Sequence, residues 1–102
     1  MIDKAIARVT EEMMKIDDPL AQLVEEHLTE VCITERVAEK LLDPKKTLKE
    51  AHKKIWEEAR RRKKGNGAYI PDQEIYEMVD EYYGITAGMM EKQESINVLD
   101  LL

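Results

Sequence analysis

The sequence predicts an all-α protein, a small bundle of four to five helices with a C-terminal tail. The chain is 43% apolar and 37% charged but only 5% aromatic, without phenylalanine, a composition typical of helical domains. Apolar residues recur at steps of three and four, and several segments begin with helix-capping residues. Because 102 residues make one domain at most, we expect a single helical domain over residues 1–85 and a tail over residues 86–102, loosely ordered or docked.

The first helix is predicted over residues 2–16. Its apolar side chains share one face because of their helical spacing; they are Ile2, Ala5, Ile6, Val9, Met13 and Ile16. The next helix, residues 19–32, has Asp18 as N-cap and Pro19 at the first helical position, where a missing N–H costs nothing. Two β-branched residues, Ile33 and Thr34, then interrupt a pattern that resumes through residue 42. Whether residues 19–42 form one helix or two is left open.

A further helix is predicted over residues 48–63, after a turn at Asp43-Pro44. Thr47 and Glu50 have the spacing of a capping box, in which the threonine oxygen accepts the N–H three residues on and the glutamate reaches back. Gly65 is expected to be the left-handed C-cap. Acid-first spacing of four residues predicts three ion pairs along this helix: Glu50–Lys54, Glu57–Arg61 and Glu58–Arg62.

The last helix is predicted from Asp72, its expected N-cap, to a stop at Gly84. Asn66 and Gly67 are expected to make the preceding connection. The core face should consist of Ile75, Met78, Val79 and Tyr82. Tyr76 and Tyr83, seven residues apart, are expected on one flank with their hydroxyls in water.

The end of the chain, INVLDLL over residues 96–102, is too apolar for a solvated tail. Burial of three such side chains is worth about 5 kcal/mol before the entropic cost of ordering them. We therefore expect the segment to dock on the protein's own core, on a second copy, or on a partner.

Charge is strongly segregated along the chain, with a net charge of −6 overall. Residues 1–44 carry 5 basic and 11 acidic side chains, residues 45–64 carry 10 and 3, and residues 65–102 carry 1 and 8. Such blocks favour either helices that attract each other or a basic surface for an anionic partner. No apolar run is long enough for a membrane span or signal peptide. With one cysteine and so no internal disulfide, a cytoplasmic location is expected.

Catalytic and metal-binding patterns are not found in the sequence. His27 and Cys32 are five residues apart on a helix, so their side chains point in different directions and do not form a ligand pair. His52 lies beside an apolar stripe and is expected to be a packed, hydrogen-bonded residue. Phosphate loops and nucleophile motifs are missing. We therefore expect neither an enzyme nor a cofactor.

The helix over residues 48–63 carries the most informative surface. Lys49, Lys53, Arg60 and Lys64 project within about 60° of one another at 100° per residue, opposite the apolar stripe, and Trp56 borders that stripe. Cations beside an aromatic ring can follow a nucleic-acid backbone and stack a base. The alternative, which we favour on sequence alone, is a solvated face packed against the acidic first half of the chain.

The segment DQEIYEMVDEYYGI resembles the C-terminal signature of the PcfK-like family, small proteins of conjugative plasmids and integrative elements. The resemblance is carried by Asp72, Glu74, Ile75, Tyr76, Met78, Tyr82 and Tyr83, and extends more faintly back through the helix from Thr47 to Ala59. It implies an association with DNA transfer and no catalytic residue.

These observations lead to one main hypothesis and one alternative. The main hypothesis is a non-catalytic accessory protein of a mobile genetic element that acts in conjugation by binding a protein partner, with self-association as a further expectation. The alternative is a nucleic-acid-binding module that uses the basic helix, residues 45–64.

Overall fold

A computed structural model of the chain describes residues 1–63 and 70–90. This part of the chain is helical and contains no strand, which confirms the all-α class. Its helices are α1 (Ile2–Met14), α2 (Pro19–Val31), α3 (Glu35–Leu41), α4 (Leu48–Arg62), α5 (Asp72–Tyr83) and a short 3₁₀ helix (Ala87–Met90). None of the described helices is both long enough and apolar enough to cross a membrane.

The core lies where α1, α2, α3 and α4 meet, and α5 closes it against α2 and α4. The apolar stripes expected from helical spacing supply the buried side chains. The largest of those fully enclosed are Val9, Val24, Leu28, Val37, Leu41, Leu48 and Val79. The fold thus follows from one buried face on each helix.

The predicted start of α2 is confirmed, and the open question about residues 19–42 is settled as two helices. The Asp18 carboxylate accepts the Leu20 N–H at 3.0 Å from an extended backbone. The helix before it, α1, ends at Met14 and not at residue 16. The chain leaves helical geometry at Cys32. Thr34 then caps α3 by accepting the Val37 N–H.

An ion pair on α1, Arg8 with Glu12, holds the turn between α3 and α4. The Arg8 guanidinium donates to the backbone carbonyls of Leu41, Asp43 and Lys46 at 2.6, 2.9 and 2.8 Å. Glu12 accepts the Leu48 N–H at 2.8 Å and lies 3.2 Å from Arg8 Nε. The cation therefore meets the carbonyl end of α3 and the carboxylate meets the amide end of α4, the arrangement that both helix dipoles favour.

The capping box predicted for α4 is only half formed. Thr47 Oγ1 accepts the Glu50 N–H at 3.2 Å, as predicted. The Thr47 N–H, however, donates to the hydroxyl of Tyr82 at 3.1 Å, so Glu50 is not its acceptor. A side chain from α5 has replaced the reciprocal half of the box, and it joins α5 to the start of α4.

Two predictions for α5 are wrong. Pro71 occupies the N-cap position without a side-chain hydrogen bond, and Asp72 is the first helical residue, so its carboxylate caps nothing. Tyr83 is 3% exposed, and its hydroxyl has no hydrogen-bond partner among the described residues. The buried row follows steps of four residues, from Ile75 through Val79 to Tyr83, which leaves Tyr82 at its edge.

One feature of this helix is as expected. Gly84 ends it in the left-handed conformation, φ 81°, where glycine carries no steric penalty. Beyond it, Ile85 turns back and is buried, and the 3₁₀ helix packs on α3.

Several predicted features lie outside the described residues. They are the Gly65 cap, the Asn66-Gly67 connection, Lys64 and the part of the tail over residues 91–102.

Replacement of Ile75, which is 6% exposed, by alanine should lower the free energy of unfolding by about 2–5 kcal/mol through a core cavity. Asp72→Ala is the matched control on the same helix. It should lower the free energy of unfolding by less than about 1 kcal/mol, because only a favourable charge at the helix N-terminus is lost. Urea denaturation measures both, and equal losses for the two variants would contradict this packing of α5.

Candidate nucleic-acid interface

Three cations and the tryptophan of α4 lie on one exposed strip. Lys49, Lys53, Trp56 and Arg60 are spaced four, three and four residues apart, so they fall within about 60° around the helix axis. All four side chains are exposed. We call these four residues the basic strip. Lys64, predicted to continue it, lies outside the described residues.

The cations of the basic strip have no carboxylate partner within the described part of the chain. The ion pairs of α4 instead use Arg61 and Arg62, both with Glu58. Of the three ion pairs predicted along this helix, Glu58–Arg62 is confirmed, and the other two are not formed. The helix is therefore neutralised on one side and positively charged on the strip.

Arg62 joins the end of α4 to the first turn of α5. Its guanidinium donates to Glu58 Oε2 at 2.6 Å and, by two bonds, to the carboxylate of Glu74. These hydrogen bonds lower the pKa of both carboxyls and raise the pKa of Arg62. This cation is therefore occupied within the fold, unlike those of the basic strip.

Trp56 is fixed in place although its side chain is 45% exposed. Its indole N–H donates to Asp18 Oδ2 at 2.9 Å, and His52 Nε2 lies 2.8 Å from the same oxygen. The other carboxylate oxygen caps α2 through the Leu20 N–H. That backbone hydrogen bond, followed by those from His52 and Trp56, lowers the pKa of Asp18. One aspartate thus starts α2 and orients the exposed ring on α4.

The predicted packing role of His52 is consistent with this geometry. Its ring is half-buried, hydrogen-bonded to Asp18, and edge-on to Trp56 at 6.4 Å between ring centres. For that hydrogen bond to form, Nε2 must carry the proton. His52 therefore supports the tryptophan from behind.

A groove of about 550 Å³ runs beside the basic strip, between the end of α1 and the start of α4. Lys15 and Ile16 line it on the α1 side, and Lys49 and His52 line it on the α4 side. Its lining combines the cations Lys15 and Lys49 with Glu12. Because it shares Lys49 with the strip, the two features adjoin.

The residues that carry the family resemblance do not form a common exposed site. Ile75 and Tyr83 are buried, Glu74 holds Arg62, and Tyr82 accepts the Thr47 N–H. The remaining signature residues are Asp72, Tyr76 and Met78.

Tyr76 joins α5 to α2 by stacking on His27. The two ring centres are 4.3 Å apart, with 7° between the ring planes. His27 Nε2 in turn lies 2.8 Å from Asp80 Oδ1. The signature thus attaches α5 to α2 and α4, and the exposed features lie elsewhere.

His27, in α2, and Cys32, at its C-terminal end, have separate surroundings. His27 bonds to Asp80, and Cys32 is a buried free thiol whose pKa is raised by burial. Within residues 1–63 and 70–90, no three potential ligand side chains are grouped as a metal ion requires.

Comparison of the chain with protein-family models, curated proteins and solved structures gives no match. Its function is therefore inferred from the residues of the surface just described.

The link between Asp18 and Trp56 is tested by two substitutions at position 18. Asparagine keeps an oxygen that caps α2, but its amide nitrogen cannot accept from the indole. Asp18→Asn should therefore alter the fluorescence of Trp56. Asp18→Ala, which also removes the cap of α2, should lower the free energy of unfolding by about 1 kcal/mol more than Asp18→Asn does. Asp17→Asn, at an exposed neighbour, is the control. Unchanged fluorescence in Asp18→Asn would contradict the link.

The same variant has a defined pH dependence. Because folding lowers the pKa of Asp18, the stability from its ionised form is complete above the unfolded-state pKa and is lost as the pH falls through the lower folded-state pKa. The difference in unfolding free energy between the wild type and Asp18→Asn should shrink as the pH falls below about pH 4. A difference that is independent of pH would contradict this assignment.

Proposed function

We propose that this chain is a non-catalytic, cytoplasmic accessory protein of a mobile genetic element and that it binds nucleic acid along the basic strip. The main support is the alignment of Lys49, Lys53 and Arg60 with a half-exposed tryptophan. None of these cations has a carboxylate partner in the described part of the chain. Phosphate groups are the partners that such a row of cations fits.

The charge balance of the chain supports this assignment. Acidic side chains outnumber basic ones 22 to 16, so carboxylates are plentiful, and Arg8 and Arg62 are both paired. Three aligned cations without carboxylate partners within residues 1–63 and 70–90 suit a surface that an external anion neutralises. Arg8 contrasts with them, because it is committed to the turn before α4.

The role by binding rather than by catalysis is supported by what the titratable side chains do. His27 is occupied by Asp80 and Tyr76, and His52 is occupied by Asp18. Both rings are used to hold helices together.

The association with conjugation and DNA transfer is supported by the resemblance of residues 72–85 to the PcfK-like family. A cytoplasmic location agrees with that role, since it gives access to DNA and since Cys32 is a free thiol, as is usual in a reducing compartment.

A protein partner is the second candidate, and the groove between α1 and α4 favours it. The groove joins apolar Ile16 to the cations Lys15 and Lys49, and its acidic lining residue, Glu12, is already paired with Arg8. This combination suits an acidic peptide with an apolar side chain. Such a partner would use the same face of α4, so the two candidates differ in the partner and not in the surface.

Lys53→Glu and Lys54→Glu form a matched pair, since neighbouring exposed lysines of one helix undergo the same change of charge. Lys53 lies on the basic strip, whereas Lys54 lies about 100° away, near the ring of Tyr82. Binding to a fluorescein-labelled oligonucleotide at about 50 mM salt, measured by anisotropy, should weaken at least about tenfold for Lys53→Glu and much less for Lys54→Glu.

Equal effects of the two substitutions would show a general attraction of charge and contradict the strip. Absence of oligonucleotide binding by the wild-type chain at this salt concentration would overturn the nucleic-acid proposal. The protein candidate would then be tested by copurification from the native host, where the partner should be lost with Lys53→Glu and kept with Lys54→Glu.

A further inference from the structure

We propose that the ligand of the basic strip is single-stranded nucleic acid and that one of its bases stacks on the exposed face of Trp56. This inference rests on the proposed function and deepens it. It follows from the width of the strip, the position of the tryptophan and the way its ring is held.

The strip is too narrow for a duplex. It offers about one cation for each helical turn, and Glu50 and Glu57, both exposed, border it within about 100° of Lys49. A duplex is a wide polyanion whose second row of phosphates would approach these acids, whereas a single strand can follow one row of cations. The net charge of −6 further opposes a ligand that extends well beyond the strip.

The length of the strip also fits a short stretch of single strand. Lys49 and Arg60 are separated by eleven helical steps, or roughly 16 Å at 1.5 Å per residue. Trp56 lies between Lys53 and Arg60. A base on the indole would therefore have its flanking phosphates within reach of both cations.

The tryptophan is prepared for stacking. Its N–H edge is bonded to Asp18 and supported by His52, while 45% of the residue remains exposed. Because the ring is already oriented, binding loses little side-chain entropy. Aromatic side chains held in a positively charged groove are the usual platforms for unpaired bases, and stacking depends little on sequence.

Fluorescence provides a direct test, because Trp56 is the one tryptophan of the chain. An oligothymidylate of about ten nucleotides should quench its emission saturably, and a duplex of the same length should bind at least about tenfold more weakly. An abasic strand of equal length presents the same phosphates without bases. It should bind more weakly than oligothymidylate and leave the emission unchanged. Oligouridylate in parallel distinguishes RNA from DNA as the source of the strand.

Two substitutions separate stacking from charge. Trp56→Leu should weaken oligothymidylate binding about 5- to 100-fold, and Trp56→Tyr, which retains an aromatic face, should recover most of the affinity. Neither should change the slope of log K against log salt concentration. Lys53→Glu, in contrast, should reduce the slope by about 0.7, because one phosphate contact is lost.

The possible results overturn either this inference alone or the proposed function as well. Duplex bound as tightly as single strand would overturn the single-strand inference, and single strand bound without quenching would overturn the stacking on Trp56. Either result would leave nucleic-acid binding in place. Loss of affinity in both Trp56→Leu and Trp56→Tyr, with native circular dichroism, would overturn the stacking role. Binding of none of the ligands would overturn both proposals.

Discussion

The structure depends on the ion pair between Arg8 and Glu12 on α1. These two side chains contact opposite ends of the turn between α3 and α4. The guanidinium, which can only donate hydrogen bonds, donates to three carbonyls, and the carboxylate accepts the N–H of Leu48, the first residue of α4. Helix ends leave such groups without intrahelical partners. Because α1 bonds the last carbonyl of α3, two carbonyls of the turn and the first N–H of α4, it sets the direction in which α4 leaves the turn.

The surface of α4 follows from that constraint. Leu48, Ala51 and Ile55 are buried, so the opposite side of the helix must carry the basic strip. Asp18 likewise joins two parts of the fold, because its carboxylate caps α2 and also accepts the indole N–H of Trp56 on the strip. The contacts of Arg8 and Glu12 thus orient α4, and the contact of Asp18 orients the aromatic ring on its exposed side.

Local patterns in the sequence predict much of this fold and part of the site. The caps at Asp18 and Thr47, and the alignment of Lys49, Lys53 and Arg60, follow from neighbours within one helical turn or from a fixed rotation per residue.

Features that depend on distant residues could not be predicted. Arg8 and Leu41 are 33 residues apart, and Asp18 and Trp56 are 38 residues apart. The same holds for Tyr83, whose burial depends on which row of α5 meets the other helices, and for the hydroxyl of Tyr82, which displaces Glu50 from the capping box.

The role of the Arg8–Glu12 ion pair is tested most directly by a double-mutant cycle with Arg8→Met and Glu12→Gln in urea denaturation. If the pair acts as one unit on the turn, the coupling energy should be about 1 kcal/mol or more. A coupling of about 0.5 kcal/mol or less, the value of an ordinary exposed helical ion pair, would contradict it.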